Sequence, residues 1–414
     1  MTSPSILKHT EHILRAFEIE PRPLDQMVDA YYRRYKNLGP KERQIISDAA
    51  FGVMRWKRRL DGILSIAGID KPANKQRIAA CLLWQAKGMD VSFLQEIIGK
   101  KLDFNPPENN FPGGMAAYCS FPDVIFEQLL EWKGKEWAKR MALALNEKAY
   151  VVIRTNLLKI DRESLQGELF QKGVGSTPTI YSPFGLILSK RINLASLASF
   201  RKGLFEVQDE ASQIIGLLVH PLRNETVLDV CAGGGGKSLL LSMLMGGRGR
   251  VISSDINARK LGNLRRRVRQ MGCTNINIIP SDEISRFRGR ADAVLIDAPC
   301  SGTGTLRRNP DLKWRLTEDQ LRECISVQKA LLEKSAFLVK PNGRLIYATC
   351  SVLPRENEEI VDWFTRQYPW KVVRADEILK IPQTEKFVTS EGYFKTNPCE
   401  VFMDGFFGCI LKRV

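Results

Sequence analysis

The chain has 414 residues, 44% of them hydrophobic and 26% charged, which excludes a disordered polypeptide and predicts two or three domains with separate cores. No apolar run approaches the length of a bilayer span and the N-terminus has no signal-peptide core, so a cytoplasmic protein without a membrane partner is expected. Lys and Arg outnumber Asp and Glu by 62 to 46, and a net charge of +16 favours a polyanionic partner, most simply nucleic acid.

From Ile6 to Leu102 apolar residues recur three and four apart (Ile13, Leu14, Phe17; then Ile45, Ile46, Ala49, Ala50, Val53), which predicts helices. Asn37 to Pro40 reads as a turn, with Pro40 opening the next helix. The run Arg55–Arg59 sets cations beside Trp56, which suits either a grip on RNA or a solvated helix face. Residues 103–114 (DFNPPENNFPGG) read as an inter-domain linker. Helices are expected over 122–133, 136–146 and 162–171, and strands at 150–154, near 179–181 and at 186–188. These make a small α+β module over 115–204, basic through Arg154, Lys159, Lys190 and Arg191.

From Phe205 onward strands and helices alternate, the pattern of a parallel sheet with helical crossovers. Strands are expected at 226–230, 250–254, 276–279, 293–297 and 344–349, with an antiparallel pair near 400–403 and 406–411 closing one edge. The first strand runs into a glycine-rich loop and a helix (VLDVCAGGGGKS, Val227–Ser238), a combination that brings backbone N–H groups close to a ligand. Three ligands compete for it. A phosphate-binding P-loop matches Gly236-Lys237-Ser238 but needs glycine where Cys231 stands. A dinucleotide fingerprint matches Gly233 and Gly235 but meets Ser238 at its third glycine. S-adenosylmethionine, which has no phosphates, tolerates Asp229 just before the loop. Asp255 ends the second strand, where an acid commonly takes ribose hydroxyls. Asp282 follows the third, placed for an adenine amino group or a helix cap.

The fourth strand ends in VLIDAPCSGTG (Val294–Gly304) and the fifth in RLIYATCS (Arg344–Ser351), so two sulfurs and an acid sit at neighbouring strand ends. An ATPase has a use for Asp297 but none for two thiols, and a dehydrogenase lacks its histidine or tyrosine acid. Methylation of a pyrimidine carbon needs the set. C5 of cytosine is a poor nucleophile until a thiolate adds at C6, and an acid beside N3 favours that addition. Chemistry alone leaves open which sulfur attacks. The nine cysteines include no Cys-x-x-Cys pair and the three histidines (His9, His12, His220) are scattered, so neither a disulfide framework nor a metal site is expected.

These residues give the chain a resemblance to the Fmu/Sun (NOL1/NOP2/Sun) family of RNA (cytosine-5)-methyltransferases, in the bacterial 16S rRNA branch with a NusB-like N-terminal domain. It is carried by FEVQDEAS (Phe205–Ser212), DVCAGGGGKS (Asp229–Ser238), DAPCSGTG (Asp297–Gly304), RRNPDLKWR (Arg307–Arg315), YATCS (Tyr347–Ser351), NEEIV (Asn357–Val361) and, near the N-terminus, Leu38–Asp61. The resemblance implies an α/β chain with a Rossmann-like class I methyltransferase domain (205–414). Before it come a small RRM-like RNA-binding module (115–204), the linker (103–114) and an all-helical NusB-like RNA-binding domain (1–102). It implies Cys350 as the nucleophile, Cys300 as an aid to breakdown of the covalent adduct, and Asp297 as a hydrogen-bond partner of the cytosine, within reach of the cofactor. Cys231, Ala232, Gly233, Gly234, Gly235, Gly236 and Lys237 would line the methionine part of S-adenosyl-L-methionine, with Asp255 on the ribose and Asp282 near the adenine. Two positions depart from the family pattern: Gly234 replaces a usual proline, and the histidine usual before Asp404-Gly405-Phe406-Phe407 is missing.

Arg265, Arg266, Arg267 and Arg269 share one predicted helix, while Arg307, Arg308, Lys313 and Arg315 surround Trp314 just past the sulfur-bearing loop. The second group is expected to position RNA. The expected partner is rRNA, free or in a partly assembled small subunit, and the protein is expected to be monomeric. The alternatives are a nucleotide-dependent RNA-binding protein with a P-loop and a non-catalytic NusB-like assembly factor.

Overall fold

The computed structural model describes residues 4–85 and 92–414. They form two compact units, one holding the chain up to Lys148 together with Thr305–Glu318, the other Ala149–Gly304 and Asp319–Val414.

The first unit is helical, with Pro4–Ile19, Leu24–Arg34, Pro40–Ile66, Asn74–Gln85 and Ser92–Ile98 packed around Leu14, Ile46, Ala49, Leu60 and Ile78. Pro40 occupies the first helical turn as its fixed φ predicts, and Gly39 N donates to Glu42 Oε2 at 2.8 Å to close the start. The stretch 103–114 is not a free linker. Phe111 is buried against Ile63 and Ala117, over Gly62, where an added Cβ would come within 2.3 Å of the ring. The helical unit therefore continues through Gly114–Tyr118 and Asp123–Leu145, the latter broken at Gly134 (φ 77°) where two helices were expected.

Trp56 kinks the long helix Pro40–Ile66 (φ −118°, ψ 19°). The carbonyls just before the kink accept from Thr305–Glu318: Met54 O from Trp314 Nε1 at 2.5 Å, and Arg55 O from Lys313 Nζ at 2.8 Å. Lys313 also donates to Ser120 O at 2.6 Å and Asn146 Oδ1 at 2.7 Å, beneath the Phe121 ring. Arg55 Nη1 caps Glu147 O at 2.9 Å, and Arg307 Nε caps Ala144 O at 2.9 Å. Cations thus converge on the C-terminal carbonyls of Asp123–Leu145, where the helix dipole favours them.

This corrects two expectations. Arg307 and Lys313 are buried structural cations, not RNA contacts, because backbone carbonyls take their N–H groups. Of their companions, Arg315 pairs with Asp311 at 3.1 Å and Arg308 is half-buried. Nor does the run Arg55–Arg59 form one solvated face, since Arg55 and Arg59 are buried, the latter 4.2 Å from the centroid of the Tyr118 ring, while Trp56, Lys57 and Arg58 keep exposed surface.

The second unit opens with a four-stranded antiparallel sheet of β1 (Val151–Thr155), β2 (Ser176–Pro178), β3 (Gly185–Leu188) and β4 (Phe205–Val207), in the order β2-β3-β1-β4. Helix Arg162–Gln171 covers one face through Leu165 and Leu169, against Ile153, Leu186 and Phe205. β2 lies at 176–178, not 179–181; there Glu210 Oε1 accepts from Tyr181 N and Ser182 N and turns the backbone away. β4 pairs with β1, so Phe205–Val207 belongs to this sheet and the larger one begins later.

The larger sheet holds β5 (Thr226–Asp229), β6 (Arg250–Asp255), β7 (Ile276–Pro280), β8 (Ala291–Asp297), β9 (Val339–Thr349), β10 (Trp370–Val373), β11 (Phe394–Lys395) and β12 (Phe407–Arg413). Its order is β10-β12-β9-β8-β5-β6-β7, with β11 beside β12, and β5 to β9 are parallel. Val294, Leu295 and Ile296 are fully buried because the sheet is covered on both faces, which is why β8 reads as an unbroken apolar run. Helix Glu210–Val219 packs on one face, and Glu318–Ala336 and Glu358–Gln367 on the other. The closing antiparallel strand β12 runs between β9 and β10, but its expected partner at 400–403 is a bend; β10 and β11 pair with β12 instead. Among the described residues no helix is long and apolar enough to cross a membrane.

Lys313→Met keeps the side-chain length but strips the donor from three buried acceptors. It should lower unfolding free energy by about 3 kcal/mol, read from urea denaturation midpoints.

Candidate active site

Strand order reverses at β5, with β6 and β7 on one side and β8 and β9 on the other. Ligands of open α/β sheets sit at the carboxyl ends beside such a switch. Asp229, Asp255 and Asp297 end β5, β6 and β8, and Cys350 follows the end of β9. Asp297 stands opposite Ala348 in the β8–β9 register, two residues before Cys350.

Cys300 Sγ and Cys350 Sγ are 3.5 Å apart. The neighbouring Cys350 sulfur, then burial, pushes the Cys300 thiol well above its ordinary pKa. Both cysteine turns are built from small residues tied to each other. Thr303 Oγ1 lies 3.0 Å from Ser351 Oγ and accepts from Val352 N at 3.1 Å, and Gly304 N donates to Cys350 O at 2.9 Å. Gly405 N donates in turn to Gly304 O, an approach so close that a Cβ on Gly304 would lie 2.0 Å from Gly405 O.

Three residues that sequence reasoning missed hold this assembly. Glu356, without exposed surface, accepts from Ser301 N at 2.7 Å, Ser301 Oγ at 2.5 Å and Gln328 Nε2 at 3.1 Å. Asn357 accepts from Thr349 Oγ1 at 2.5 Å and donates to Ser351 O at 2.9 Å. Asn357 belongs to a quoted motif, but nothing in the local pattern separates Glu356 or Gln328 from surface residues of ordinary helices.

The glycine loop turns through Gly233 (φ 54°) and Gly235 (φ 88°), and Gly235 presses on Leu264, whose Cδ1 would lie 2.1 Å from a Cβ. Gly236 starts helix Gly236–Leu244, Ala232 is buried, and the half-buried Cys231 thiol is pushed above its usual pKa by burial. Gly234, Gly233 and Gly236 are partly exposed. Asp255 ties the loop down, accepting from Gly233 N at 2.8 Å and Asn257 N at 2.7 Å. Asp282 is exposed on the turn Ser281–Phe287 after β7.

The Lys237 ammonium is buried, 2.7 Å from Asp297 Oδ2 and 5.1 Å from the centroid of the Phe406 ring. A carboxylate therefore holds the cation that a P-loop would turn toward phosphate. Asp229 is fully buried and accepts from Ser238 Oγ at 2.6 Å, which fixes the helix start behind the loop. A separate apolar groove of roughly 1130 Å³, lined by Tyr150, Phe170, Ile180 and Phe402 among others, includes none of the strand-end acids or sulfurs.

Residues 216–412 match the family model described as 16S rRNA methyltransferase RsmB/F, and residues 121–195 match the ferredoxin-like domain of the same methyltransferases. The chain is 28% identical to a probable ribosomal RNA small subunit methyltransferase B of Synechocystis sp., over 97% of this chain and 98% of that one. It is 29% identical to the human 28S rRNA (cytosine(4447)-C(5))-methyltransferase, over 65% of this chain and 36% of that protein. Among solved structures, a methyltransferase homologue from Pyrococcus horikoshii superposes with a TM-score of 0.63 at 25% identity, covering 72% of this chain and 98% of that one.

Burial raises the Asp229 pKa from 3.8 to about 7. A folded-state pKa above the unfolded one means that the folded protein keeps a proton the unfolded chain gives up. The stability this group contributes is therefore complete below about pH 4 and lost as pH rises to about 7. Asp229→Asn has no such titration. Relative to this variant, the wild type should lose roughly 3 kcal/mol between pH 4 and pH 7.5, measured by urea denaturation at both values.

Proposed function

Because the chain belongs to the 16S rRNA methyltransferase RsmB/F family, we propose that it transfers a methyl group from S-adenosylmethionine to C5 of a cytosine in small-subunit ribosomal RNA. The observation that carries the reading is the pair of sulfurs 3.5 Å apart in the turns after two adjacent strands, the first of which ends at Asp297.

The residues around the loop fit the cofactor. Gly233 and Gly236 leave open backbone, and the first N–H groups of helix Gly236–Leu244 lack intrahelical partners. Asp255 accepts from two backbone N–H groups and keeps lone pairs for ribose hydroxyls. Asp282 is exposed, so its carboxylate can accept from an adenine amino group. When bound, S-adenosylmethionine supplies a methyl group on a positively charged sulfur.

In this reading Cys350 gives its thiol proton to solvent, its sulfur bonds to C6 of the cytosine, and the C5=C6 electrons take the methyl at C5, leaving S-adenosylhomocysteine. Asp297, paired with Lys237, accepts from the exocyclic N4 amino group of the base. Transfer of the C5 proton to water then re-forms the C5=C6 bond and expels Cys350 as the thiolate, restoring aromaticity. Cys300, its thiol pKa raised beside Cys350, gives a hydrogen bond to the departing sulfur and so assists release. A paired base hides C6 from a thiol, so the target must be unstacked or flipped. Arg265, Arg266 and Arg269, exposed on helix Ala258–Met271, are available to RNA phosphates.

Cys350→Ala should lower methyl transfer by about a thousand-fold or more, with RNA affinity retained, measured with labelled cofactor on 16S rRNA and on partly assembled small subunits. Cys300→Ala should accumulate a protein–RNA adduct that survives denaturing electrophoresis. An active Cys350→Ala protein would overturn the reading, and bisulfite mapping would locate the modified cytosine.

A further inference from the structure

Two arginines outside the catalytic set grip the glycine loop from behind. Arg154 projects from β1 of the small antiparallel sheet and is fully buried. Its Nη1 donates to Gly236 O at 2.8 Å and to Gln208 Oε1, while Nε and Nη2 are buried without a partner. Burial pulls this guanidinium down to about pKa 10; nearby Glu206 opposes that shift and Arg267 adds to it. Arg267, on helix Ala258–Met271, donates from Nη1 to Gly234 O. Its Nε and Nη2 hold Glu206 Oε2 at 3.1 and 2.6 Å, and Glu206 stands on β4 directly opposite Arg154.

A buried guanidinium with unmet donors is costly, and an apolar side chain could fill the β1 position more cheaply. What the two cations achieve is control of the loop. Holding a carbonyl fixes its peptide plane and hence the direction of the N–H on the other side. Gly236 O shares its peptide with Lys237 N, among the first N–H groups of the helix, and Gly234 O shares its peptide with Gly235 N at the left-handed turn.

We infer that Arg154 and Arg267 are positioning residues for the cofactor, fixing the glycine loop in its binding shape and so setting the affinity for S-adenosylmethionine. The small sheet is then part of the cofactor site and not only a surface for RNA. The inference rests on the methyltransferase reading and deepens it.

The test is calorimetric titration of the full-length chain with S-adenosylhomocysteine, beside kinetics at varied S-adenosylmethionine. Arg154→Met and Arg267→Ala should each weaken binding about ten-fold or more and raise the cofactor KM, with kcat at saturating cofactor and RNA affinity changed less than about two-fold. Arg154→Lys should recover part of the loss. A Cβ at position 234 would lie 3.0 Å from Arg267 Nη1, so Gly234→Ala disturbs the same contact, and its effect should be less than additive with Arg267→Ala. If Arg154→Met does not fold, the Arg267→Ala and Gly234→Ala cycle decides the matter. Wild-type affinity in Arg267→Ala, or full additivity with Gly234→Ala, overturns the inference. Failure of the wild type to bind S-adenosylhomocysteine overturns the methyltransferase reading itself.

Discussion

The buried carboxylate of Glu356 is the contact on which the arrangement of the sulfurs depends. Removing a carboxylate from water costs several kcal/mol unless its lone pairs are met, and here three donors meet them. Two come from Ser301, immediately after Cys300, and one from Gln328 on the crossover helix. The backbone carbonyl of the same residue accepts from Tyr347 OH at 2.6 Å, and Tyr347 lies on β9, the strand that leads to Cys350. One residue therefore sets the turn after β8 against the strand beside it. Each cysteine sits in a turn of small residues that has little rigidity of its own. Their common geometry comes from this shared anchor and from Asn357, which fastens Thr349 to Ser351.

The three strand-end acids show how one sequence pattern serves three electrostatic purposes. Asp229 is fully buried, its pKa raised by that burial, and it braces the helix start through Ser238. Asp255 accepts backbone N–H groups at the loop through both of its oxygens. Asp297 is half-buried and forms an ion pair with the Lys237 ammonium. The environments differ because the helix that follows β5 seals Asp229 through Ser238, whereas Asp297 after β8 keeps exposed surface beside Lys237.

Much of this was legible beforehand, for identifiable reasons. Parallel strands buried on both faces advertise themselves as apolar runs, and the acids and sulfurs at their ends are fixed by chain direction. That is why the positions of Asp297, Cys300 and Cys350 follow from the pattern alone. The cations were not legible. Arg307 and Lys313 look like a basic patch around Trp314, and only the kink at Trp56 and the end of helix Asp123–Leu145 show that carbonyls absorb their charge. Arg154 was equally opaque, because its partners lie 82 and 54 residues away in the chain. Glu356 resembles any acid in the first turn of a surface helix. The linker at 103–114 carried the right composition, but Phe111 tied it to the helices through a pocket that exists only because residue 62 is glycine.

Gly304 and Gly405 carry a consequence for anyone diversifying this scaffold. Their backbones touch across two chain segments a hundred positions apart, leaving no volume for even a methyl group on residue 304. Variation there cannot be absorbed by a rotamer change, since the obstacle is a peptide oxygen that moves only with its whole turn. A library that changes residue 304 must therefore rebuild both turns together.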